Sequence, residues 1–329
     1  MYKTPIIPDK KRMQWLDVSR VLCMQLIIYM HFPPQGWGKL TAQLFIASGV
    51  PFYLFWAGYF CAGNIAWKKI FSRCSLFFCV YFIWESLAWF LSWHDNAGAS
   101  FWGLGQVFVV QTGGGHAIPY IGPLWFIRDL FILTLLTPMI LKIRIIMIPL
   151  IFLFMSYQSL SMPHEPDTVV SIGTCLIYMI GCYLRRYNVS KILEKLPNRV
   201  IMVFLICVGI PATLIAIKNN LFNGDSWATQ CWNPTLFGYI CGSALISVNG
   251  ILVMRFAPKL GSFIAAHAPA MLFVLILHIP LGSMINIQSW LPGNYSILQA
   301  PILMVISMTF YYLIKKMIPW AMPYITATR

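Results

Sequence analysis

The sequence predicts an all-α fold: a polytopic integral membrane helix bundle with about ten transmembrane helices. Three observations carry that prediction. The 329 residues are 59% hydrophobic and only 10% charged, with a mean hydropathy of +0.73, whereas ordinary soluble domains carry about 25% charged residues. A soluble globule of this composition could not cover its surface, so hydrocarbon is the expected solvent. Ten apolar stretches are each long enough to cross about 30 Å of hydrocarbon. The basic residues between those stretches fall on alternate sides, as cytoplasmic retention of positive charge requires.

The elements follow in order. The first stretch, 15–31, is preceded by MYKTPIIPDKKRMQ and is followed by no small-residue cleavage site, so it is expected to persist as a span rather than as a removable signal. Stretches 44–63 and 70–93 come next. Segment 101–111 is apolar but too short to cross, and the TGGGH after it favours a re-entrant or interfacial piece before the fourth span at 121–141. The remaining spans are 144–160, 167–185, 199–217, 234–254, 269–288 and 297–318. They form one domain over 1–329, with a cytoplasmic N-terminal segment 1–14 and a cytoplasmic tail 319–329.

With the N-terminus inside, 19 of the 23 Lys and Arg residues fall on the cytoplasmic side, while Lys39, Lys218, Asp95, Glu165, Asp167 and Asp225 lie in outer loops. Arg20 and Arg128 fall within spans. The formal charge of +14 therefore reflects membrane topology. No basic face or aromatic-basic motif points to nucleic acid. The nine cysteines include no CxxC pair and no zinc-type spacing, and they are expected to be small buried hydrophobes. No metal is expected.

An ionisable side chain at the bilayer centre costs on the order of 3 kcal/mol, so each one needs a partner or a task. The sequence places few there: Asp17, Arg20 and His31 in the first span, Glu85 in the third, Arg128 and Asp129 in the fourth, and His278 in the ninth. Arg20 and His31 are eleven residues apart, which returns within about 20° of the same helix face over a rise of roughly 16 Å. Asp17 lies three residues before Arg20, so a local ion pair would satisfy the arginine without any catalysis. Arg128 and Asp129 are adjacent and point about 100° apart, so their partners are expected on other helices. Glu85 is placed to orient His31 or to pair with Arg128. His116, in the TGGGH segment, is a candidate for approaching a substrate from the outer face.

The segment WLDVSRVLCMQLIIYMHF, with Arg20 and His31 at a spacing of Arg, ten residues, His, resembles the first span of the membrane acyltransferase family 3. Three further segments resemble that family in its order. VPFYLFWAGYF at 50–60 is similar to its VPLFFxxSGY element. GPLWFIRDLF at 122–131 is similar to the LWFLRDLF segment of its surface-polysaccharide O-acetyltransferase branch. LGSFIAAHAPAMLFVLILHIPL at 260–281 is similar to an element ending in IYLLH, with His278 at the histidine. Ala57 stands where the family prefers Ser, Leu275 where it has Tyr, and Ile70 three residues before Arg73 where some members have Arg.

The resemblance implies transfer of an acyl group, most often acetyl, from cytosolic acyl-CoA to a hydroxyl of a bacterial surface carbohydrate: O-antigen, capsule or exopolysaccharide, lipid-linked or already at the surface. Acetyl-CoA, or another acyl-CoA, is a co-substrate, and no cofactor is bound. Location in the inner membrane is implied, among membrane lipids. The resemblance assigns catalysis to His31 and Arg20, with Asp17, Glu85 and His278 as support. Trp125, Arg128, Asp129 and His116 are candidates for binding the acceptor, and Lys68, Lys69 and Arg73 for the acyl-donor side. His31 then acts as general base or forms a transient acyl-histidine. A transporter or flippase of a lipid-linked sugar, whose pathway the intramembrane charges would line, and a scaffold that has lost catalysis are the competing classes.

Overall fold

The computed structural model describes residues 13–35, 49–63, 66–92, 121–143, 172–209, 236–291 and 293–327. Every regular element among them is helical. The elements are α1 (Gln14–His31), α2 (Gly49–Ala62), α3 (Trp67–Ser92), α4 (Leu124–Ile140), α5 (Ile172–Leu184), α6 (Val189–Lys195) and α7 (Asn198–Phe204), which continues as a π turn over Leu205–Gly209. They continue with α8 (Leu236–Phe256), α9 (Pro258–Ala266), α10 (Met271–Met284), α11 (Ile287–Trp290), α12 (Gln299–Met317) and α13 (Met322–Thr326).

Three stretches among the described residues are long and apolar enough to cross a membrane on their own: Trp67–Ala88, Pro258–Met284 and Tyr295–Met317, with mean hydropathies of 1.4, 2.1 and 1.8. They correspond to the expected third, ninth and tenth spans. The expected fifth span, 144–160, the 101–111 segment and His116 in the TGGGH after it lie outside the described residues. The ninth span begins earlier than its expected start at 269. The expected start leaves Lys259 in the connection before the span. Pro258 instead opens α9 at its first turn, where a missing backbone N–H is harmless, and the 3-10 turn Ala268–Ala270 joins α9 to α10.

The surface confirms the solvent. Phe71, Phe78, Phe82, Leu87 and Phe90 project outward from α3, and Val305, Phe310 and Leu313 from α12. Apolar surface on that scale is unfavourable in water and suits lipid.

Without a hydrophobic drive between helices in lipid, association depends on close packing of small residues and on interhelical hydrogen bonds. Both occur here. A Cβ on Gly58 would strike the Tyr178 backbone, and one on Gly181 the Phe55 backbone, each inside 3.0 Å, so α2 and α5 meet with their main chains almost touching. α1 runs through the middle, packed against α2, α8, α9, α10 and α12. Gly250 of α8 leaves room for Trp15 and Ser19, and Ser19 Oγ donates to Trp15 O at 2.9 Å and Ile246 O at 3.1 Å. Because α1 faces protein on most sides, its polar residues are screened from lipid, and it needs less hydropathy than the outer helices.

The bundle has two unlike ends. At one, the Arg185 guanidinium lies 4.8 Å over the Tyr59 ring, Arg186 lies 5.3 Å over Tyr183, Tyr183 donates to Ile143 O, and Arg255 donates to Asn198 and to Glu194 O. At the other, the end of α1, the starts of α2 and α4 and the later part of α10 converge around His31. Arg185, Arg186 and Arg255, three of the basic residues that the sequence sorts to one side, make the contacts at the first end.

Candidate functional site

His31 is the last residue of α1, and half-buried. A small cavity of about 20 Å³, room for about one water, opens beside it, lined by Ile27, Met30, His31, Val50, Tyr53, Pro123, Trp125, Phe126 and Leu275. An imidazole accepts a proton in its neutral form, and the cavity gives access to this ring.

His278 of α10, fully buried, sits directly beside His31: the ring centroids are 5.1 Å apart at 50°. Its Nδ1 lies 2.7 Å from Leu275 O and 3.2 Å from Val274 O, and its Nε2 has no hydrogen-bond partner among the described residues. The replacement of Tyr by Leu275 therefore leaves the histidine anchored, because the backbone carbonyl of residue 275 holds the ring and its side chain only lines the cavity.

Tyr53 was not singled out by sequence. Its ring lines the cavity while its hydroxyl donates to Arg20 O at 2.7 Å, so one α2 side chain connects the two marked positions of α1. A polar tip on the otherwise apolar VPFYLFW stretch was the available signal.

The expected local ion pair is present: Arg20 Nη1 lies 3.1 Å from Asp17 Oδ1. The Asp17 side chain is 7% exposed but that of Arg20 is 38% exposed, so the guanidinium keeps donors for another group. Arg128 and Asp129 also touch each other, with Arg128 Nε and Nη2 each 3.4 Å from Asp129 Oδ1, a contact that the angle between their Cβ directions did not predict. The long, flexible arginine side chain folds back across the angle that separates the two Cβ directions, and burial of both residues leaves no water to compete.

Trp125 faces the cavity, which places the start of α4 against His31. Glu85, buried on α3, accepts from Ile121 N–H at 3.2 Å, and Tyr81 lies within electrostatic reach of Glu85, Arg128 and Asp129 together. Glu85 thus belongs to the α4 cluster. Lys68 and Lys69 are exposed at the start of α3, with Arg73 one turn further on. Ile70, where an arginine was sought, is fully buried. That position packs into the bundle. No group of three or more metal-ligating side chains occurs among the described residues.

An all-helical bundle with an apolar exterior and its polar chemistry gathered inside is an integral membrane protein, and a half-buried imidazole at a cavity gives it a proton-accepting group. The chain belongs to acyltransferase family 3: residues 13–316 match the family's acyltransferase domain. It is a membrane acyltransferase. No curated protein and no solved structure matches the chain.

Proposed function

We propose that the protein is an O-acyltransferase, with acetyl as the acyl group, that moves it from cytosolic acetyl-CoA to a hydroxyl of a bacterial surface carbohydrate. The N- and C-termini lie in the cytoplasm, the membrane is the inner one, and the spans form one domain of about ten helices. The observation that carries this reading is His31, exposed to a small apolar cavity at one end of α1, with Arg20 on the same helix toward the basic end. One helix thereby links the side where an anionic donor is attracted to the side where a glycan arrives.

The Arg20 guanidinium makes one hydrogen bond among the described residues, to Asp17, out of the five N–H groups it presents. The others are suited to a phosphate of the donor, whose long pantetheine arm carries the thioester toward His31. Lys68, Lys69 and Arg73 add positive charge on the donor side. A neutral His31 accepts the hydroxyl proton as the sugar oxygen attacks the thioester carbonyl; the C–S bond then breaks and the proton passes from His31 to the departing thiolate. Trp125 offers an aromatic face for the acceptor, and Arg128 and Asp129 hold the start of α4 in place.

Membranes containing the protein, supplied with labelled acetyl-CoA and with surface polysaccharide from cells lacking the gene, are expected to label the polysaccharide. Base-labile label on the glycan, lost in His31→Ala at equal protein abundance, supports the reading. Absence of transfer by the wild type, or full activity in His31→Ala, overturns it.

A further inference from the structure

We infer that His278 is a positioning residue for His31: its Nε2 is an unsatisfied hydrogen-bond acceptor that fixes the tautomer of His31 and supports the imidazolium formed during transfer. This deepens the proposed acyl transfer and rests on it.

The tautomer of His278 follows from its surroundings. Nδ1 faces two carbonyl oxygens, Leu275 O at 2.7 Å and Val274 O at 3.2 Å. Carbonyls only accept, so Nδ1 must carry the hydrogen. In a neutral imidazole the other nitrogen is then a bare lone pair. A hydrogen on Nε2 as well would leave a buried charge and an unpaired donor inside the bundle, which is strongly unfavourable. Nε2 is therefore an acceptor, it is fully buried, and it has no donor among the described residues. A buried polar atom without a partner is uncommon and calls for an explanation.

The neighbour that can supply the donor is His31. With the ring centroids 5.1 Å apart and tilted by 50°, a small rotation of the His31 ring brings an N–H to Nε2 at hydrogen-bond distance. Catalytic hydrogen bonds are often long in an unliganded site and tighten when substrate arrives. Once that bond forms, the second nitrogen of His31 is left bare, and it is the atom able to take the sugar hydroxyl proton.

The steps balance. The hydroxyl O–H bond breaks and a new N–H forms on His31. The sugar oxygen bonds to the thioester carbon, the C–S bond breaks, and the new proton of His31 passes to the thiolate. His278 ends each cycle with the hydrogen it began with. It acts as a carboxylate does behind the histidine of a hydrolase, but as a neutral acceptor, which suits an intramembrane site where a further charge would have to be buried. Helix α10 is built to hold it: the anchoring carbonyls of Val274 and Leu275 lie one turn earlier on the same helix.

Two substitutions separate positioning from packing. His278→Asn keeps an amide N–H near Leu275 O and removes the atom at Nε2. His278→Gln places a carboxamide oxygen near the Nε2 position. The full-length protein, in membranes with labelled acetyl-CoA and polysaccharide from cells lacking the gene, is expected to lose about 10²-fold in kcat on His278→Asn, with KM for acetyl-CoA within about twofold. His278→Gln should recover at least tenfold of that loss. The acid limb of the pH–rate profile should move to lower pH in His278→Asn, because the protonated form of His31 loses its support. Equal activity in the two variants, or a wild-type rate and pH profile in His278→Asn, overturns the inference while leaving acyl transfer intact. A wild type that transfers no label overturns both.

Discussion

Two Arg–Asp pairs stand in the same bundle and differ in almost every respect. Arg20 and Asp17 are one turn apart on α1, in contact at 3.1 Å, with the guanidinium 38% exposed. Arg128 and Asp129 are sequence neighbours on α4, in looser contact at 3.4 Å, with side chains 7% and 2% exposed. The first pair has good geometry and an open side; the second has poorer geometry and none. Exposure, more than distance, distinguishes a cation available to a ligand from one committed to the fold, because a buried charge that loses its partner has no water to replace it.

His31 sets the scale for these differences. His31→Ala should lower transfer by at least about 10³-fold at unchanged abundance, since the proton acceptor itself is removed; labelled transfer and immunoblotting of the same membranes measure the two quantities. Arg128→Ala should act on the protein rather than on the reaction. It strands buried Asp129 at a cost of about 3–5 kcal/mol, visible as a lower melting temperature in detergent, and Arg128→Ala with Asp129→Asn should recover part of it. Arg20→Ala should do the reverse, raising KM for acetyl-CoA about tenfold with little change in melting, and Arg20→Lys should recover only part because lysine lacks the forked donors. If Arg20→Ala and Arg128→Ala prove indistinguishable in melting and KM, the contrast between the two pairs fails. Smallest is Tyr53→Phe, which deletes the bond to Arg20 O at 2.7 Å and should cost about 1 kcal/mol, measurable by melting, with the cavity wall retained.

Sequence and structure divide along physical lines. Hydropathy is carried by each residue alone, so the apolar runs of α3 and α12 were legible. So was the Asp17–Arg20 contact, because helical periodicity fixes three-residue neighbours. The contact of His31 with His278 depends on how α1 lies against α10, across nearly 250 residues, and no local rule encodes it. The Arg128–Asp129 pair was missed because Cβ directions were taken to decide the matter, although four side-chain torsions let arginine turn back on its own helix. Tyr53 escaped because a tyrosine in the middle of an apolar stretch reads as one more hydrophobe, and only the bundle shows its hydroxyl donating to Arg20 O. The early start of the ninth span was hidden by Lys259, whose long stem lets a charge sit at a helix end.

The short α13 shows what such long-range contacts mean during synthesis. Its Ile325 carbonyl accepts the indole N–H of Trp84 at 3.0 Å, 241 residues away along the chain, and Met322 and Thr326 are buried with it. At about 5–20 residues per second, α3 waits roughly 10–50 s in the membrane before that partner leaves the ribosome. One of the first helices to insert is among the last to be completed, and during that interval its inner face is open to whatever quality-control factor or premature helix partner reaches it first.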